Sequence, residues 1–133
     1  MKSKLTLELS DARKVIAAAE QEALRNGWNV SIAVCDDSGA LVMLLRMDGA
    51  APVSAAIAPE KARTSVLTRK PTKQSEEMIN GGRFAALKMP IVPLEGGEML
   101  MADGHCVGGI GVSGVRPGQD AQIAQAGVAG LPG

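Results

Sequence analysis

The chain has 133 residues, a length that suits one folded domain over residues 1–133, and 46% of them are hydrophobic but only 2% aromatic. Its 14 Lys and Arg residues balance 14 Asp and Glu residues, so no excess charge attracts nucleic acid or an anionic membrane. Because Trp28 and Phe84 are its only aromatic residues, the chain also lacks a stacking surface for bases, and we expect no nucleic-acid partner.

The N-terminal segment and the cysteine content indicate a cytoplasmic protein. Residues 1–10 lack the apolar stretch of a secretory signal, and no run in the chain approaches the roughly 18 apolar residues of a membrane helix. Cys35 and Cys106 are too few for a disulfide framework and form no C-x-x-C pair. We therefore expect two free thiols and no membrane partner.

The first predicted elements are a helix and a β-hairpin. Between residues 10 and 26, apolar residues recur at spacings that place them on one helical face, with Ser10 as the N-cap. Alternating residues over 30–35 and an apolar run over 41–45 then predict two strands. Because residues 36–39 have the composition of a short turn, the two strands should be antiparallel.

The middle of the chain predicts two helices and a loop. Residues 54–69 carry small apolar side chains on one face, although Pro59 predicts a kink or a fresh start within this helix. Thr72 is the predicted N-cap of a short helix that runs to Asn80. Residues 83–93 show no periodicity, so we expect them to form a surface loop.

The last part of the chain predicts a second hairpin and a final helix. Residues 98–101 and 106–112 flank Asp103-Gly104, which is a strong signal for a two-residue hairpin turn. Residues 120–129 are weakly helical. Two antiparallel hairpins, separated and followed by helices, indicate an α+β fold rather than a parallel doubly wound sheet.

A glycine-rich run over residues 109–114 matches the G-x-G-x-x-G spacing of dinucleotide-binding proteins. That motif requires a turn that opens a helix and an acidic residue about 20 positions later, and this chain meets neither requirement. We therefore interpret Gly109 and Gly111 as positions in a strand against which a backbone or a flat ligand packs closely.

Four side chains are candidates for ligand binding or catalysis. His105, the only histidine, either is an axial ligand for haem iron or faces water in a turn. Lys61 lies at the margin of a buried helical face, where its cation either binds a ligand carboxylate or snorkels to solvent. Arg46, at the end of the second strand, is a further cation for such a carboxylate. Glu98 either serves as an acid or base or is an edge-strand charge.

Taken in order, several short segments resemble those of the GlcG/HbpS-like haem-binding family, which shares the fold of the haem-binding C-terminal domain of PduO. The resemblance covers residues 5–131. It rests on Ile32-Ala33-Val34-Cys35-Asp36 with Gly39, Arg46-Met47-Asp48-Gly49-Ala50, Lys61-Ala62-Arg63-Thr64, Gly96-Gly97, and Gly109-Ile110-Gly111-Val112-Ser113-Gly114 with Asp120. The order of these segments is specific, although no single segment is.

The resemblance implies a profilin-like α+β domain, in which helices pack on the faces of an antiparallel sheet, and assembly as a homo-oligomer. It also implies a small-molecule partner, either haem or another small organic ligand, held between a helix and a glycine-rich sheet. Proteins of this family are often encoded in catabolic operons without a defined reaction, so function follows less firmly than fold.

Three functions therefore stay open. In the first, a flat or small anionic ligand lies over Gly97, Gly109 and Gly111. Its carboxylates meet Lys61 or Arg46, and His105 binds iron when the ligand is haem. In the second, a lyase or isomerase uses Glu98 and His105 to move a proton on a small organic acid. The third is an oligomeric accessory protein with no chemistry of its own.

Overall fold

The computed structural model describes residues 1–132, and its helices and strands follow the predicted order. The elements are α1 (Leu9–Asn26), β1 (Ser31–Asp36), β2 (Leu41–Arg46), α2 (Pro52–Thr68), α3 (Thr72–Asn80), a 3₁₀ helix (Phe84–Lys88), β3 (Gly97–Ala102), β4 (His105–Ser113) and α4 (Pro117–Ala129). The strands form one antiparallel sheet in the order β2-β1-β4-β3, which confirms the α+β fold. Within residues 1–132, no helix has the length and apolar character needed to span a membrane.

The main hydrophobic core lies between one face of the sheet and helices α1 and α4. Side chains alternate between the two faces along a strand, so every second residue of β1 and β4 reaches this core. The larger core residues are aliphatic, as the scarcity of aromatic residues predicts: Leu7, Val15, Ile16, Val30, Ile32, Val34, Leu100, Val107, Ile110, Val112 and Ile123.

Helix α2 packs on the opposite face of the sheet at very short range. A Cβ atom built on Gly109 would lie 2.6 Å from the carbonyl oxygen of Ala62, and one built on Gly111 would collide with Ala58 and Ala62. The glycine-rich strand is therefore closely packed, as predicted. What approaches these glycines is the backbone of a helix of the same chain.

Proline does not interrupt α2. The helix runs continuously from Pro52 to Thr68 with Pro59 in its interior, so the predicted kink or restart is wrong. Pro59 lacks the N–H that would bond the carbonyl of Ala55, which weakens one turn only. Ala58 and Ala62, on either side of Pro59, are both fully buried against the sheet and hold the helix in place.

Two predicted N-caps and one loop also need correction. Helix α1 begins at Leu9 because Glu8 is its N-cap, and the backbone N–H of Glu8 donates to the Asp11 carboxylate at 2.9 Å. Thr72 is the first residue of α3 rather than its cap, and its buried Oγ1 accepts the N–H of Gly97 at 2.8 Å. The predicted loop contains the 3₁₀ helix.

The close approach of α2 predicts a large penalty for any side chain at Gly111. The Gly111→Ala variant should lose about 1 to 3 kcal/mol or more of its free energy of unfolding, because the new methyl group overpacks the helix–sheet interface. Gly118→Ala is the matched control, since a Cβ at Gly118 meets no atom within 4 Å. Urea denaturation measures both variants, and equal midpoints for the two would contradict the packing described here.

Candidate functional site

The most completely buried charges of the described residues are those of Lys61 and Asp120. Their side chains are 5% and 4% exposed, and Lys61 Nζ lies 3.1 Å from Asp120 Oδ2. Nζ also donates to the carbonyl oxygen of Val112 at 2.9 Å, and the N–H of Val115 donates to Asp120 Oδ1 at 3.1 Å. The pair joins α2, the end of β4 and the first turn of α4.

The sequence predicts that Lys61 either binds a ligand carboxylate or snorkels to solvent, and the structure shows a third arrangement. The side chain does not snorkel to solvent, and the carboxylate that it meets belongs to Asp120 of the same chain. Burial raises the pKa of the Asp120 carboxyl, and the charge of Lys61 opposes that rise. Gly96, at φ +127°, leaves the space for Nζ, since a Cβ there would lie 2.9 Å from it.

The glycines predicted to lie under a ligand are covered by α2. Gly109 and Gly111 face the helix backbone, as described above. A Cβ on Gly97 would collide with the carbonyl oxygen of Lys61 and lie 2.7 Å from Cγ2 of Thr72. In this arrangement the helix therefore fills the space that the sequence-based hypothesis left for a ligand between helix and sheet.

Arg46 lies in a different part of the molecule from Lys61 and His105. It is exposed at the end of β2, and it borders a shallow groove of about 340 Å³ that we call the β2-edge groove. The other lining residues are Glu20, Leu24, Asn29, Leu45, Met47 and Asp48. Two acidic residues there offset the charge of Arg46, so this groove is a poor site for an anion.

Glu98 and His105 are not brought together. Glu98 pairs with Ile110 across the β3–β4 ladder, whereas His105 pairs with Ala102. The two pairs lie four positions apart on β3, or roughly 13 Å along a strand. They therefore do not flank one small substrate as an acid and base.

The half-buried Glu98 carboxylate instead contacts α4, where Gln125 Nε2 donates to Glu98 Oε1 at 3.4 Å. Burial is the main cause of a raised pKa of Glu98, the charge of Glu95 adds to it, and the Gln125 hydrogen bond opposes it. A perturbed carboxyl at this position is explained by packing against α4.

His105 lines an open groove of about 460 Å³ at the other end of the same hairpin. Four parts of the chain form this hairpin groove: the N-terminal segment, the turn between β1 and β2, the end of α2 and the β3–β4 hairpin. Its lining residues are Lys2, Lys4, Leu5, Asp37, Arg69, Met99, Met101, Gly104, His105 and Cys106. Three basic side chains and one carboxylate give it a positive balance, and Lys4 pairs with that carboxylate at 2.7 Å.

Arg69 is held at the wall of the hairpin groove by the way α2 ends. The residue is the C-cap of α2 and has a left-handed backbone at φ 53°. Its Nη1 donates to the carbonyl oxygens of Asp37 and Val66 at 3.2 and 3.1 Å, and lies 3.2 Å from Cys106 Sγ. A fixed guanidinium of this kind is suited to recognising a carboxylate.

The two cysteines differ in accessibility. Burial raises the pKa of the Cys35 thiol to about 12, so it stays protonated and unreactive. Cys106 is half-buried and lines the hairpin groove. Both thiols are free, as the sequence predicts.

Sequence reasoning assigned no role to Arg69 or Asp120. Asp120 was part of the family pattern, and its burial beside Lys61 is visible only in the folded chain. For Arg69, the available signal was a basic residue next to a helix-ending Lys70-Pro71. Within residues 1–132, no three His, Cys, Asp or Glu side chains come together as a metal-binding group.

Comparison with known proteins shows what the chain is similar to. A family model described as "Haem degrading protein HbpS-like" matches residues 7–129. Protein GlcG of Escherichia coli (strain K12) is 49% identical over 114 residues, or 85% of each chain. A double mutant of HbpS from Streptomyces reticuli has a TM-score of 0.90 at 35% identity, over 100% of this chain and 92% of that one. The PduOC:heme complex has a TM-score of 0.86 at 30% identity, over 96% of both chains.

Breaking the buried ion pair should destabilise the fold. Lys61→Met keeps the length of the side chain but leaves the Asp120 charge buried without its partner, so the free energy of unfolding should fall by about 3 to 5 kcal/mol. The double variant Lys61→Met/Asp120→Leu removes both charges and should regain most of that loss. Urea denaturation at neutral pH measures both.

Lys73→Met is the matched control for a lysine in an exposed ion pair. Lys73 and Glu77 lie 3.9 Å apart, and both side chains are more than half exposed. Loss of this exposed ion pair should change the free energy of unfolding by less than about 1 kcal/mol. A Lys61→Met protein as stable as this control would show that the buried pair does not hold the three elements together.

Proposed function

This chain belongs to the HbpS-like family, and on that premise we propose that it binds haem in the hairpin groove. The observation that carries the proposal is that His105, the only imidazole of the chain, lines the same groove as three basic side chains. PduOC, a relative with the same fold, forms a complex with haem. That complex supports haem as the ligand of this chain, and the residues of the hairpin groove support this groove as the binding position.

The residues of the hairpin groove fit the chemistry of haem. An imidazole is a common axial ligand for haem iron, and a thioether or thiolate can serve in its place. Arg69 and the two N-terminal lysines supply cations for the propionate groups. Leu5 and the two methionines offer apolar contact to a porphyrin face without any aromatic residue. When bound, haem would supply iron-centred chemistry, for which this chain would contribute the axial ligand and the orienting cations.

The same cations would also hold a small organic acid, which is the other ligand class that the sequence leaves open. Haem is the stronger proposal because it uses the imidazole, the cations and the apolar contacts of the groove together. The lyase or isomerase hypothesis lacks this support, since roughly 13 Å of strand separates Glu98 from His105. A cytoplasmic location stays a prediction.

The haem proposal makes a spectroscopic prediction for His105. Haem added to the purified chain should give a Soret band, and the His105→Ala variant should shift that band because iron loses its imidazole ligand. Absorption titration with haem measures both proteins. An unchanged spectrum in the variant would mean that iron is held elsewhere or that binding is non-specific.

Two arginines distinguish the hairpin groove from the β2-edge groove. Arg69→Gln should weaken haem binding by roughly fivefold, the effect of losing one solvent-accessible ion pair. Arg46→Gln removes the same charge from the β2-edge groove and should leave the affinity unchanged. If Arg46→Gln weakens haem binding and Arg69→Gln does not, haem binds in the β2-edge groove instead.

We also propose that the chain assembles as a homo-oligomer. Phe84 and Leu87, on the 3₁₀ helix, are 65% and 64% exposed, and Met89 and Leu94 follow close behind with 46% and 40%. An exposed apolar patch of this kind on a small domain is typical of an interface. A second copy of the chain is the partner we expect, because a closed symmetric assembly is the commonest way for such a patch to be covered.

Light scattering at micromolar concentration tests the assembly. We expect a mass that is a multiple of 13.7 kDa, and a smaller mass for the Phe84→Ser/Leu87→Ser variant. Leu24→Ser is the control, since Leu24 is 57% exposed on α1 and lies outside the patch. A monomeric mass for the unmodified chain would refute the proposal.

A further inference from the structure

Two methionines of β3 lie on the same face of the sheet. Met99 and Met101 are two positions apart, so their side chains point the same way along the strand. Leu100, between them, is fully buried in the core on the opposite face. Both methionines line the hairpin groove, and Met101 is 42% exposed there.

The register of the hairpin adds a thiol to the two thioethers. Met101 is paired directly with Cys106 across the β3–β4 ladder. Directly opposed residues of an antiparallel pair have Cβ atoms about 4.5 to 5.5 Å apart, which puts Cys106 Sγ within reach of the Met101 sulfur. His105, the adjacent residue of β4, borders the groove but is paired with Ala102, so its side chain points to the opposite face of the sheet. Three sulfur donors therefore lie on one face, beside a solvent-accessible space.

We infer that the hairpin groove is a binding site for one Cu(I) ion, held by the sulfur atoms of Met99, Met101 and Cys106. Thioether and thiolate are soft ligands, and soft ligands select Cu(I) over harder divalent ions. Zn(II) prefers four thiolate, imidazole or carboxylate ligands. This groove offers one thiol, one imidazole and the Asp37 carboxylate, which is already paired with Lys4.

The chemistry of binding balances without any further reactant. Cys106 gives its proton to solvent, its sulfur forms a bond to copper, and the ion enters and stays as Cu(I). Arg69 Nη1, 3.2 Å from Cys106 Sγ, lies where it offsets the negative charge of the resulting thiolate. The buried Cys35 thiol cannot compete, because burial raises its pKa to about 12.

This inference does not rest on haem binding, because the sulfur atoms alone hold the ion and the test is made on the haem-free chain. Cu(I) is supplied without oxygen in competition with bathocuproine disulfonate, a chelator whose Cu(I) complex is coloured. The unmodified chain should take one Cu(I) per molecule. The Met99→Leu/Met101→Leu variant should weaken Cu(I) binding by roughly tenfold or more. Removal of a residue that only supports a metal ligand already costs about tenfold in affinity, and removal of two ligands should cost at least as much. Cys106→Ser should do the same.

Met78→Leu/Met89→Leu is the matched control, because it removes two thioethers that lie outside the groove. It should bind Cu(I) as the unmodified chain does, and circular dichroism should show that all the variants fold. Equal Cu(I) affinity in the Met99→Leu/Met101→Leu and control variants would overturn the inference.

Silver(I), which has the same soft character and no redox chemistry, gives an independent measurement. In a chain with ¹³C-labelled methionine methyl groups, Ag(I) should shift the signals of Met99 and Met101 and leave those of Met78 and Met89 in place. Equimolar Zn(II) should not reverse the shift. Shifts confined to other methionines, or reversal by Zn(II), would contradict a soft three-sulfur site.

Discussion

Helix α2 lies so close to β4 that only a hydrogen atom fits as the side chain at Gly109 and Gly111. This distance is possible because small residues face each other across the interface, with Ala58 and Ala62 on the helix. Short range adds dispersion contacts along the whole helix and leaves no gap for solvent or a ligand. It also explains why α2 passes through Pro59 without breaking, since the sheet holds both flanking turns.

The position of α2 decides what the charged residues around it can do. Lys61 lies on the buried side of the helix, where an unpaired ammonium would be very costly. Asp120, from the first turn of α4, supplies the compensating carboxylate and lies near the positive end of that helix dipole. The pair joins elements on both faces of the sheet, so it couples the two layers past the end of β4 rather than through the core.

Because α2 covers Gly109 and Gly111, the side chains that a ligand can reach lie at the end of the β3–β4 hairpin. There the end of α2 delivers Arg69, and the two strands deliver His105, Cys106 and the methionines. Cations and soft donors thus share one groove while the remaining candidate residues lie apart. A ligand with carboxylates and a soft or iron centre matches that combination, whereas a proton-transfer site built on Glu98 does not.

The sequence by itself determined the order of the elements, because helical and strand periodicity and the Asp103-Gly104 turn are local signals that survive in any context. It also showed that something packs closely on Gly109 and Gly111, but not what. Only the tertiary structure decided that a helix does so, that Lys61 meets Asp120, 59 positions away, and that Arg69 meets Cys106, 37 positions away. Partners so distant in sequence are selected by how whole elements pack together, and no short pattern in the chain encodes that geometry.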